Sequence, residues 1–86
     1  TLAKESGMEN LLHRIDIDPE ICHGQPCIRG TRILVSVVLR LVEEGLNFTQ
    51  IREEYPELTD ADIRAAIQYA RLTVEGEEVY PLRVQA

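Results

Sequence analysis

Apolar and polar positions change their rhythm about a third of the way along the chain. Arg14-Ile15-Asp16-Ile17-Asp18 alternates in steps of two, the pattern of a short strand with one buried face. Pro19 closes it, because proline has no N–H to give to a ladder. Gly24-Gln25-Pro26 reads as a turn. Cys27-Ile28-Arg29 and Arg32-Ile33-Leu34-Val35 are two further extended pieces, and the Gly30-Thr31 between them reads as a bulge or kink. This first part is expected to form a β-arm or irregular hairpin.

From Ser36 onward the period becomes helical. Ser36 is a candidate N-cap for a helix over 37–44, with Gly45 in the C′ position. Val37, Val38, Leu39, Leu41 and Val42 make this helix apolar around most of its circumference. A helix on the surface of a monomer shows one apolar stripe, so Val37, Val38, Leu41 and Val42 are expected to form a dimer contact. Two more helix starts repeat one device. Asn47 precedes Gln50 by three residues, with Leu46 and Ile51 placed as a hydrophobic staple; Thr59 precedes Asp62 by three, with Leu58 and Ile63 as the staple. The second helix is expected over 48–54, ahead of Tyr55-Pro56. The third is expected over 60–75, stopped by Gly76, with Ile63, Ala66, Ile67, Ala70 and Val74 as its inward line. The fold class is therefore mainly α: a short N-terminal β-arm or hairpin followed by three helices, the last two in a helix-turn-helix outline. One domain over 14–76 is expected, with tails at 1–13 and 77–86. Met8 offers an alternative start, which would make residues 1–7 foreign to the natural chain.

Composition narrows the function. With 86 residues there is room for one thin core, which points to a protein partner or a second copy that completes the structure. Nine basic against fifteen acidic residues leave a net charge of −6 and a pI near 4.8. That excludes a protein that coats nucleic acid through general basicity. The charge is uneven, however. No acid lies between Ile21 and Val42, and Arg29, Arg32 and Arg40 lie within that stretch. There is no apolar run of the ~20 residues a membrane helix needs and no hydrophobic leader, and the two cysteines read as reduced thiols; the expected location is the cytoplasm.

Four kinds of chemistry are conceivable for these residues. The first is DNA reading by the third helix: Arg64, Gln68 and Arg71 stand at i, i+4 and i+7, and Arg and Gln are the residue types that bond guanine and adenine edges. Against it stand a connection, Tyr55 to Thr59, longer than the usual turn, and the carboxylates Asp60 and Asp62 at the helix end that normally meets DNA. The alternative is a plain helical pair with a solvated Arg/Gln face. The second is a phosphate clamp by Arg29 and Arg32; the alternative is that they pair with Asp16, Asp18 or Glu20 and fix the arm. The third is a metal site built on Cys22, Cys27, His13 and His23, against which stands the lack of a second tight ligand pair; two packed thiols are the favoured reading, so no metal and no cofactor are expected. The fourth is catalysis, for which no nucleophile, phosphate-loop or metalloprotease pattern is present; the chain is expected not to be an enzyme.

The run Asp18-Pro19-Glu20-Ile21-Cys22-His23-Gly24-Gln25-Pro26-Cys27-Ile28-Arg29-Gly30-Thr31-Arg32-Ile33 resembles the signature of domain-of-unknown-function family 433. The resemblance continues through Glu44-Gly45, Ile51 to Tyr55-Pro56, Leu58-Thr59 and Ile63 to Ala70. It implies a homeodomain-like helical bundle behind a short β-segment, in small prokaryotic proteins often predicted to be antitoxins of VapBC-type pairs. Such a protein would bind and silence a PIN-like ribonuclease toxin and, as a dimer, bind its own promoter DNA. The family implies no catalytic residues. PIN-type active sites are acidic, so an inserted arginine would block one; Arg83 in the tail is the candidate. The acidic balance also suits a second reading, a protein-interaction module without DNA binding.

Overall fold

The computed structural model describes residues 10–76. The chain enters through a single 3-10 turn, Leu12–Arg14, and passes into strand β1, Ile15–Asp16. A second tight turn, Cys22–Gly24, leads to β2, Cys27–Ile28. Three helices follow: α1 (Val35–Glu43), α2 (Phe48–Glu54) and α3 (Asp60–Val74). The strands pair antiparallel, Ile15 opposite Ile28 and Asp16 opposite Cys27, and Leu34 makes a further antiparallel bridge to Cys27. β2 thus lies between β1 and the approach to α1. The expected five-residue first strand is cut to two because its partner offers only two residues. Ile17 runs past the end of the pairing and is 56% exposed.

The arm carries its own turn chemistry. Asp18 accepts the Glu20 N–H at 2.8 Å and its carbonyl accepts the Ile21 N–H at 2.8 Å, closing the turn through Pro19. After β2, the Thr31 N–H returns to the Ile28 carbonyl at 3.0 Å across Gly30, whose φ of +85° favours glycine. The Thr31 hydroxyl then donates to the Ile28 carbonyl and accepts the Ile33 N–H, at 2.8 and 2.9 Å. The Gly-Thr pair is a hairpin corner held by the Thr31 N–H and hydroxyl.

Both capping boxes form. Asn47 and Gln50 exchange bonds at 2.8 Å each, and Thr59 and Asp62 at 3.0 and 3.1 Å. Helix α1 starts differently from the sequence expectation. It begins at Val35, with Ser36 already inside the first turn and exposed, and no side chain caps it. The Val35 N–H donates instead to the Pro26 carbonyl at 3.0 Å. A backbone acceptor on the arm does the work of a cap, so the serine is not needed.

The core is aliphatic. Ile28, Val38, Ile51, Ile63, Ala65 and Ala66 are fully buried where the hairpin, α1, α2 and α3 converge. Leu58 of the expected staple is buried as well. Val37, Leu39 and Leu41 are half-buried against this core. The chain itself therefore covers more of α1 than its apolar circumference suggested. The inward line of α3 is corrected too: Asp62, Ile63, Ala65 and Ala66 are buried, whereas Ile67 is 37% and Val74 86% exposed. The fully buried residues of α3 lie in its first half, and beyond them Gln68, Tyr69, Ala70 and Leu72 are half-buried. Among the described residues no helix is long and apolar enough to cross a membrane.

Candidate nucleic-acid and protein interfaces

The outward face of α3 runs Asp60, Arg64, Ile67, Arg71, Glu75, all exposed and spaced by helical turns. Arg64 and Arg71 are placed as expected. Arg71 is held along the helix by Glu75 at 2.9 Å, an exposed i, i+4 pair of the kind worth a few tenths of a kcal/mol, which a phosphate readily displaces. The Gln68 side-chain oxygen accepts the Leu11 N–H at 2.8 Å and fastens the entry of the chain to α3, so it has a structural role that the sequence did not mark. The residue between the two arginines on the open face is Ile67, taken in sequence for core. Its position on the solvent stripe is set by where α3 leaves the fold, which helical periodicity does not encode.

The two carboxylates that stood against DNA contact are each answered by an arginine. Asp62 is buried; it accepts the Thr59 N–H and pairs with Arg14 at 3.1 Å. Asp60, at the first position of α3, pairs with Arg52 of α2 at 2.7 Å. The start of α3 therefore does not present two bare negative charges. Arg14 and Arg52 were missed as contributors. Arg14 lies 48 residues from Asp62, and nothing local in the sequence marks that pairing.

In the basic island, Arg29 takes the structural role weighed for it. Its guanidinium bonds Asp16 across the β1–β2 pair at 2.9 Å. Arg32 and Arg40 are exposed, and neither has an ion pair among the described residues. Arg32 thus keeps the character of a candidate phosphate contact, while Arg29 reaches a phosphate only by giving up Asp16.

The expected dimer residues divide. Val38 is fully buried in the chain's own core, so it is withdrawn from any intermolecular contact. Val37 and Leu41 are half-buried, and Val42 is 36% exposed, so what they offer a second copy is a narrow edge of α1. A broader apolar surface lies elsewhere. Tyr69 separates two hollows: one of about 310 Å³ with Pro26, Leu39 and Val74 on its walls, and one of about 170 Å³ beside Leu12 and Ile17. Arg83 and the Val79-Tyr80-Pro81-Leu82 patch lie outside the described residues.

The cysteines sit in the arm. Cys27 is buried, Cys22 half-buried, and neither is in a disulfide. Burial pushes the Cys27 thiol above the ordinary thiol range, and the hydrogen bond and charge of Cys22 add to the rise. Cys22 and His23 both have left-handed backbone, with φ of +53° and +57°. Among the described residues no group of three or more His, Cys, Asp or Glu is gathered as metal ligands would be.

The family model described as a protein of unknown function (DUF433) matches residues 15–70. The chain belongs to the DUF433 family. The matched span runs from β1 to the middle of α3 and takes in the hairpin corner, both capping boxes and Arg64. A solved structure of a DUF433 member protein from Anabaena variabilis is similar, with 32% identity, coverage of 87% of this chain and 71% of that chain, and a TM-score of 0.66. No match is found among curated proteins.

Proposed function

We propose that this DUF433 chain is the DNA-binding antitoxin of a VapBC-like toxin–antitoxin pair, acting as a dimer on its own promoter and binding a PIN-like ribonuclease. The observation that carries the DNA half is the open face of α3, where Arg64 and Arg71 flank Ile67 while Asp60 and Asp62 are neutralised by Arg52 and Arg14. Two guanidiniums and a branched apolar side chain on one stripe suit phosphate or guanine contacts beside a thymine methyl. Arg32 supplies a further phosphate contact from the hairpin corner. Two such modules are needed to span a palindromic site, since one short helix face gives few contacts. The toxin half rests on the family resemblance of the signature from Asp18 to Ile33.

The test is a titration of the chain against its own promoter fragment and an unrelated fragment, with and without the product of the adjacent gene. Salt-dependent binding that prefers the promoter is expected, strengthened by the partner. Equal, weak binding to both fragments in every condition defeats the DNA half; failure to co-purify with a nuclease encoded alongside defeats the toxin half.

The apolar hollows at Tyr69 favour a second reading, a protein-interaction module that does not touch DNA. Under it the chain forms a complex with a protein partner, and promoter DNA is ignored by both the free chain and the complex.

A further inference from the structure

Outside the α3 face, among the described residues, the fold brings one pair of reactive side chains together, Cys22 and Cys27. Their thiols converge on one short piece of backbone. The Cys22 thiol lies 3.6 Å from the Arg32 carbonyl oxygen and the Cys27 thiol 4.0 Å from that of Thr31, two consecutive carbonyls of the hairpin corner. The arm holds them there through strained backbone. Cys22 and His23 are consecutive non-glycine residues in the left-handed region, a conformation that L side chains disfavour and that persists where the surroundings enforce it. The Ile21 and Cys22 carbonyls accept the Gly24 and Gln25 N–H groups at 3.0 Å each and lock the turn. Cys22 is half-buried and Cys27 buried, which is the asymmetry of an attacking and a resolving cysteine.

We propose that Cys22 and Cys27 form a dithiol site that hydroperoxide oxidants convert to an intramolecular disulfide. The Cys22 thiol loses its proton, and the thiolate attacks the terminal oxygen of hydrogen peroxide. The O–O bond breaks, hydroxide takes up a proton as water, and Cys22 becomes a sulfenic acid. The Cys27 sulfur then attacks the Cys22 sulfur, the S–O bond breaks, and the departing hydroxide leaves as water with the Cys27 proton. Two thiols and one peroxide yield one disulfide and two waters. Cys22 reacts first because it is the more accessible, and because burial disfavours the Cys27 thiolate. A disulfide carries no S–H, so closure removes the donors facing the Thr31 and Arg32 carbonyls. Oxidation therefore acts on the corner that presents Arg32.

The chain contains two cysteines, so an intramolecular disulfide has one possible pairing. The test compares the native chain with the same chain in urea, each treated with a small excess of hydrogen peroxide and followed by intact mass and free-thiol counting. The native chain is expected to lose two hydrogens and both thiols as a monomer, at least about tenfold faster than the unfolded chain because the fold holds the sulfurs together. Dithiothreitol is expected to reverse it. Cys27→Ser, checked for native circular dichroism, is expected to stop at a sulfenic acid on Cys22 that a dimedone probe captures. Equal rates in the native and unfolded chains, or native products limited to over-oxidised or intermolecularly linked species, would overturn the site.

Discussion

Asp62 is the residue on which the helical half of the fold turns. Its carboxylate closes the capping box of α3 and meets Arg14 from the entry turn, so one buried acid ties the start of a helix to the start of the domain. Removing it strands a guanidinium and exposes an N–H without an acceptor. Asp62→Ala is expected to lose about 2–3 kcal/mol in urea unfolding, and Asp62→Asn less, because the amide oxygen still accepts the Thr59 N–H. Equal losses for the two substitutions would show that the box contributes nothing. The sequence announced the box, since Thr59 and Asp62 are three apart; it could not announce Arg14. Local spacing encodes local bonds, whereas an ion pair across 48 residues exists only once the chain has folded.

At the scale of elements, the most legible features were those that a helix settles by itself. The bounds of α2 and the start of α3 follow from Asn47, Gln50, Thr59 and Asp62, and the structure has all four at work. The misread start of α1 has the opposite cause. Ser36 satisfies the rule for a cap, but the carbonyl of Pro26 reaches the Val35 N–H first, and a tertiary contact displaces a local preference. The two cases make a paired prediction. Ser36→Ala should leave stability within about 0.5 kcal/mol of the wild type, because its hydroxyl makes no cap bond. Thr59→Ala should cost about 1 kcal/mol or more, since it removes a cap in use. Urea midpoints measured side by side decide it, and a larger loss for Ser36→Ala would contradict the assignment. The same logic explains Gln68 and Ile67. Periodicity names the residues on each side of α3, but which side faces water depends on what packs against it, so Gln68 ties down the entry of the chain and Ile67, expected in the core, surfaces.

For the whole molecule, the net charge of −6 gives a poor account of the surface on its own. Several acids are spent internally: Asp16 on Arg29, Asp60 on Arg52, Asp62 on Arg14 and Glu75 on Arg71. Arg32, Arg40 and Arg64 remain without such pairs among the described residues, and the DNA proposal depends on that residual pattern. It also requires two copies, because one α3 stripe is a small footprint. Light scattering at micromolar concentration is expected to give the mass of a dimer, and Val42→Arg, on the exposed edge of α1, is expected to shift it toward monomer. A wild-type monomer would remove the operator-binding geometry.

The most direct test of the central claim is the salt dependence of promoter binding. Fluorescence anisotropy titrations with the promoter fragment, run over a series of salt concentrations, give log K against log salt for the wild type and for the Arg64→Ala, Arg71→Ala double variant. If α3 lies against DNA through these two side chains, affinity drops and the slope becomes shallower by about two in the double variant. A double variant that binds with the wild-type affinity and slope would contradict the account.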